Sequence, residues 1–211
     1  GRMREHAFIS KVPIVHGNVE PAQQRIIEQL NMGHAGVFMQ QVETAEEVRQ
    51  AIAAMRFRSK GGIRPEGGFG LAAAYWGLTE REYLERADVW PLNPNGELVN
   101  WTIVESKVGL SKIREIAAVK GIGALFPGAG TLRGLFTTTN QDGQRIFDEA
   151  GWEAAIQQVL AACKEFNVAC GYPATEKDIE RRIMQGFSVF IINWGDAGSR
   201  TVELGRKHSG R

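Results

Sequence analysis

The strongest constraint on this chain is an alternation. Short apolar runs rich in β-branched residues are separated, from one end to the other, by longer segments with helical period. That order specifies parallel strands joined by helical crossovers, because a parallel partner is reached only by passing back over the sheet. Strands are expected at 8–15, 36–42, 101–105, 123–126, 168–172 and 187–194.

The intervening helices carry their own start signals. Thr44-Ala45-Glu46-Glu47 reads as a capping box, after which Val48, Ala51, Ile52 and Met55 form one apolar face. Thr79 with Glu82, and Thr175 with Asp178, repeat the signature. A further helix aligns Trp152, Ala155, Ile156, Val159, Leu160 and Cys163, which makes Cys163 a core residue rather than a reactive thiol. The stretches 59–70 and 90–100, dense in Gly, Pro and Asn, read as loops. Trp76 is a candidate pocket wall, and the other tryptophans read as core or rim.

A closed (β/α)8 barrel takes about 250 residues, or ~31 per βα unit. The 211 residues here form one expected domain, 1–211, and supply between six and seven such units. Two architectures fit this count: an open doubly wound sheet of six strands, or a TIM-type barrel lacking about its first two units.

The charge balance, 25 Lys and Arg against 24 Asp and Glu, speaks against a nucleic-acid partner, which needs a basic excess on one face. No apolar run approaches the ~20 residues that cross a bilayer, so a membrane protein is not expected. The two cysteines, Cys163 and Cys170, offer neither a disulfide framework nor a zinc knuckle, and a reducing cytoplasm is the simple reading. The polar start, Gly1 to His6, has no apolar signal-peptide core and does not begin with Met, which suggests a fragment or a processed product.

In parallel α/β folds ligands bind beyond the carboxyl ends of the strands. Glu105, directly after the apolar run at 101–104, is placed to serve as a hard oxygen ligand for Mg²⁺ or Mn²⁺ or as a general base, or else as a helix N-cap or a salt-bridged strand end. His16, at the end of the first strand, is a candidate proton donor or carboxylate ligand, or a hydrogen-bonded loop histidine. Glu43 reads as a helix-entry acid. Gly128, Ala129 and Gly130 put bare backbone at a strand end, where N–H groups can hold a carboxylate or phosphate, although the Walker and dinucleotide patterns are absent. Arg64 is a candidate anion clamp, or a tie from its glycine-rich loop to neighbouring elements.

Taken together, these segments resemble the HpcH/HpaI aldolase and citrate lyase family of metal-dependent pyruvate aldolases. The resemblance runs through Gly36-Val37-Phe38-Met39 and Val42 to Glu47, Arg56-Phe57, Gly62-Ile63-Arg64, Ile103-Val104-Glu105-Ser106 with Gly109, Val119 to Gly123 into the Phe-Pro-Gly-Ala strand end, and Gly186-Phe187. It implies a (β/α)8 barrel with Glu105 as one of two carboxylates on a divalent metal, Mg²⁺ or Mn²⁺, and with the backbone at Gly128 and Ala129 receiving the substrate carboxylate. The implied activity is metal-dependent cleavage of 4-hydroxy-2-oxo acids to pyruvate, or a related oxo acid, and an aldehyde.

The departures are equally specific. Gly130-Thr131 stands where the family's second metal-binding aspartate belongs, and His16 stands in place of its pyruvate-clamping arginine. The family's first two strands, with their proton-transferring histidine, have no counterpart. The alternative expectation is therefore a non-catalytic or incomplete family member acting as an assembly unit. A phosphate-binding α/β domain using the 128–134 loop is a third. An incomplete barrel exposes strand edges, so a homo-oligomer is expected.

Overall fold

The computed structural model describes residues 7–13 and 15–210, which fall into two compact units, one up to Gly123 and one from Ala124. The first six residues, and Ile14 within the first expected strand, lie outside the described residues.

The first unit runs β1 (Ile9–Val12), α1 (Val19–Asn31), β2 (Gly36–Met39), α2 (Ala45–Met55), α3 (Gly70–Trp76), α4 (Glu80–Arg86), β3 (Val89–Trp90), β4 (Leu98–Val104), α5 (Lys107–Ser111) and α6 (Ile113–Ala117). Its strands are parallel in the order β1-β2-β4-β3, with Ile9 opposite Gly36 and Gly36 opposite Val99. The register demands a glycine at position 36, because a Cβ there would stand 2.3 Å from the Val99 carbonyl oxygen. Parallel pairing sends every carboxyl end to the same edge, so the segments after Val12, Met39 and Val104 emerge side by side.

Two local expectations are corrected in this unit. The stretch 90–100 is not all loop, since β4 begins at Leu98 and β3 pairs with its first residues. Leu98, Asn100 and Thr102 alternate inward and are fully buried, and the proline and asparagine cluster before them masks this start. The Thr44 hydroxyl accepts from the Glu47 N–H as expected, but the Glu47 carboxylate reaches back to the Glu43 N–H at 2.8 Å, not to Thr44. At Thr79 the reciprocal box is complete.

The second unit runs β5 (Ala124–Pro127), α7 (Ala129–Leu135), β6 (Thr137–Thr139), β7 (Arg145–Phe147), α8 (Glu149–Glu165), β8 (Gly171–Pro173), α9 (Ile179–Gln185), β9 (Val189–Ile191) and α10 (Asp196–Ser209). Strands β8 and β9 pair in parallel, and Leu125 bridges Cys170 in parallel, so β5, β8 and β9 continue the parallel order within this unit. The helix α8 buries Ala155, Ile156, Val159, Leu160 and Cys163 as its period predicts. The hairpin β6-β7 went unread in the sequence, although Asp142-Gly143, with Gly143 at φ 77°, marks its turn. The expected strand at 187–194 shrinks to β9, and Trp194 is fully exposed rather than core or rim.

All six expected strands are present, and the chain is α/β with parallel strands. Among the described residues no helix is long and apolar enough to cross a membrane.

Candidate functional site

In the first unit two polar pairings lie just beyond the strand ends, Glu105 with the Gln41 backbone and His16 with Glu43 and Glu47. Glu105 follows β4 directly and is half-buried; its Oε1 accepts from the backbone N–H of Gln41 at 3.2 Å. Gln41 has φ 50°, a left-handed backbone that turns its N–H toward the neighbouring strand's end. The amide of Gln40 donates to the Val12 carbonyl at 3.0 Å, and the Val42 N–H donates to the Ile103 carbonyl at 3.1 Å, so the exits of β1, β2 and β4 are tied together. Gly109 in α5 completes the packing, since a Cβ there would meet the Val42 carbonyl oxygen at 2.7 Å.

His16 lies in the loop after β1 with its side chain 57% exposed. Its Nδ1 is 3.0 Å from Glu47 Oε1 and its Nε2 is 3.6 Å from Glu43 Oε2. The hydrogen bond to Glu47, then the charges of Glu43 and Glu47, raise the imidazole pKa above its usual value, against the opposing effects of desolvation and of the Lys112 charge. The two carboxylates thus make the ring a stronger base than a free imidazole. Glu43 is more than a helix-entry acid, because its carboxylate faces this histidine.

Arg64 is placed elsewhere. It is fully buried, its Nε donates to Asn31 Oδ1 at 3.0 Å and its Nη2 to Tyr83 Oη at 2.9 Å, and its guanidinium lies 4.4 Å over the Phe57 ring. Burial lowers its pKa, and the Tyr83 hydroxyl opposes that shift. This corrects the anion-clamp expectation: the guanidinium ties the glycine-rich loop to α1 and α4 and shows no face to a ligand. Trp76 is likewise buried, with its Nε1 donating to the Gly33 carbonyl at 2.8 Å, and so is no pocket wall.

In the second unit Gly128 caps the amino end of α7, and Ala129 and Gly130 form its first turn, where backbone N–H groups have no partner within the helix. The Trp152 indole donates to the Ala129 carbonyl at 2.9 Å and fixes the turn from below. Nothing lies within 4 Å of the position a Cβ would take on Gly130.

Among the described residues no group of three or more His, Cys, Asp and Glu side chains is arranged to hold a metal ion. In His16, Glu43 and Glu47 the two ring nitrogens face different carboxylates. As to the donor set, Glu105 offers one hard carboxylate oxygen beyond the one Gln41 engages, and that suits Mg²⁺ or Mn²⁺ as one protein ligand, with the remaining positions left to water and ligand oxygens. The sequence pointed to Glu105 and His16 as candidates but gave no sign that Gln41 and Glu47 lie beside them. Glu47 was visible only as a capping residue, and its partner lies 31 positions away.

Comparisons with known proteins bear on this geometry. The model of the HpcH/HpaI aldolase/citrate lyase family matches residues 8–201. A hydroxypyruvate/pyruvate aldolase of Chromohalobacter salexigens is 31% identical over 177 residues, covering 83% of this chain and 63% of that protein, so the chain spans under two thirds of this relative's length. The solved structure of a family protein from Burkholderia cenocepacia superposes with a TM-score of 0.67 at 23% identity, over 96% of this chain and 71% of that one. The citrate lyase beta subunit of M. tuberculosis, solved with oxaloacetate and magnesium, superposes at 0.58 with 13% identity, over 98% of this chain and 76% of that one.

Proposed function

Since the chain belongs to the HpcH/HpaI aldolase/citrate lyase family, we propose that it serves a carbon–carbon lyase that cleaves 4-hydroxy-2-oxo acids into pyruvate, or a related oxo acid, and an aldehyde. The proposal treats 1–211 as one barrel-type domain working in a homo-oligomer, with a small-molecule oxo acid as its partner. The observation that carries it is the placement of Glu105: a carboxylate directly at the carboxyl end of a buried parallel strand, oriented by a backbone N–H from the next strand's exit. That is where ligands lie in parallel α/β folds.

Glu105 is the residue that would hold Mg²⁺ or Mn²⁺, and such an ion supplies Lewis-acid stabilisation of the enolate left when the bond breaks. The chain's own residues do the rest. His16 takes the proton from the 4-hydroxyl, the C3–C4 bond breaks as the aldehyde carbonyl forms, and the same proton returns to C3 of the enolate. In the second unit, taken by itself, the backbone at Gly128, Ala129 and Gly130 is the proposed seat for a carboxylate. The buried strands beneath Glu105 exclude water from one side of the reacting centre.

The test follows pyruvate release from a panel of 4-hydroxy-2-oxo acids with and without Mn²⁺, beside calorimetric titration of Mn²⁺. Metal-dependent release and weak Mn²⁺ binding, both lost in Glu105→Ala, support the proposal. Tight Mn²⁺ binding that survives Glu105→Ala refutes the role given to that carboxylate. A second reading, an assembly unit without catalysis, is favoured by the lack of a three-ligand cluster among the described residues. Absence of any metal-dependent release from the full chain decides for it.

A further inference from the structure

Glu47 is a carboxylate with an unusual position for an acid at a helix entrance. Acids in a first turn normally stay in water, where the helix dipole favours them, yet this side chain is only 10% exposed. Both of its oxygens are engaged. Oε2 accepts from the Glu43 N–H at 2.8 Å, and Oε1 stands 3.0 Å from His16 Nδ1. The Glu47 N–H itself is capped by the Thr44 hydroxyl at 3.2 Å. One carboxylate thus joins the first turn of α2 to the loop after β1, two segments brought to the same edge by the parallel pairing of β1 and β2.

The consequence for the imidazole is specific. A carboxylate facing Nδ1 makes that nitrogen the donor, fixes the ring plane and directs Nε2 outward as the working atom. Outward here means toward solvent and Glu43, whose oxygen at 3.6 Å is too far for a good hydrogen bond but close enough to favour positive charge on the ring. Among the described residues the positive charge of Lys112 opposes this effect. The imidazole remains accessible to a ligand, whereas the carboxylate beneath it does not.

We propose that Glu47 is a positioning residue that orients His16 for proton transfer at the strand ends of the first unit. The proposal rests on the role given to His16 above and adds the group through which that role is set. In chemical terms Glu47 exchanges no proton with the substrate; it keeps Nδ1–H in place while Nε2 receives a proton and gives it back.

The experiment replaces Glu47 with Gln in the full chain. A glutamine preserves shape, and its oxygen can still accept from the Glu43 N–H, but it no longer offers a charge to Nδ1. The ring's Cε1–H signal, assigned by its loss in His16→Asn, is followed by NMR against pH. Its titration midpoint is expected to move down toward that of a free imidazole in Glu47→Gln, with kcat for pyruvate release reduced roughly tenfold or more at unchanged KM. Thr44→Ala is the control: it weakens the same helix turn without touching His16 and leaves the titration where it is in the unaltered chain. Glu47→Asp, which keeps the charge but withdraws it, supplies a second variant should Glu47→Gln fold poorly, and its midpoint is also expected to fall. An unchanged midpoint in either Glu47 variant, or an equal fall in Thr44→Ala, overturns the positioning role. A shifted midpoint in a chain that releases no pyruvate from any substrate instead overturns the lyase reading and leaves the His16–Glu47 pairing standing.

Discussion

Tyr83→Phe isolates one oxygen atom in the core of the first unit. The Tyr83 hydroxyl accepts from Arg64 Nη2 at 2.9 Å and donates to the Leu30 carbonyl at 3.0 Å, and tyrosine, arginine and leucine are all fully buried. Phenylalanine keeps the edge contact with Trp76 at 5.0 Å and the stack on Phe69 at 5.3 Å, so packing is preserved and only the hydrogen bonds are lost. A hydrogen bond to a charged donor contributes about 1.5–3 kcal/mol, and a buried carbonyl left without a partner costs about 1–3 kcal/mol. The two overlap, and about 3 kcal/mol is the expected loss. Arg64 cannot compensate, because its Nη1 already lacks a hydrogen-bond partner and its Nε is committed to Asn31. With a urea slope of about 1–3 kcal/mol/M, the unfolding midpoint should fall by roughly 1–3 M. Adding Arg64→Met, which replaces the buried charge with an apolar chain, should cost clearly less in the Tyr83→Phe background than alone, with a coupling of about 1 kcal/mol or more. Turnover per folded molecule should stay unchanged in both variants. A Tyr83→Phe loss under about 0.5 kcal/mol refutes the reasoning, and so does an Arg64→Met protein that folds but has lost turnover, since Arg64 would then act on ligand.

Two further outcomes follow from the same unit. Gly36→Ala forces a Cβ against the Val99 carbonyl of the central strand pair, and by strand separation or backbone shift it should cost about 1–3 kcal/mol in chemical denaturation; a neutral result would contradict the β2-β4 register. The acid limb of stability should depend on Asp88. Burial pushes the Asp88 carboxyl up, but hydrogen bonds from Arg56 at 2.7 Å, from Asn93 and from the Val89 N–H outweigh it and leave the pKa below the usual carboxylate range. A folded pKa that is depressed contributes stability above the unfolded value and loses it as pH falls through the folded one. Asp88→Asn should therefore be destabilised at pH 7 and flatter than the unaltered chain between about pH 5 and pH 2, as read by urea unfolding across that range; parallel curves would exclude the Arg56–Asp88 pair as the cause.

The alternation of short apolar runs and helical segments determined the α/β class and located all six expected strands, because burial on both faces of a parallel strand and on one stripe of a helix must be written locally. The caps at Thr44 and Thr79 were legible for the same reason, since a hydroxyl and the N–H it serves lie three residues apart. Strand limits were less so: the start of β4 was hidden behind a proline-rich approach, and β9 proved shorter than its apolar run. Only the tertiary structure decided which polar residues work together. Gln41 and Glu105 are 64 positions apart, and His16 and Glu47 are 31 apart. No local pattern records such pairs, because they exist only once parallel strands align their carboxyl ends and bring separate loops to one edge. Arg64 shows the converse: its glycine-rich surroundings left an anion clamp and a tie to neighbouring elements both open, and only the packing of Phe57, Tyr83 and Asn31 around it decided for the tie.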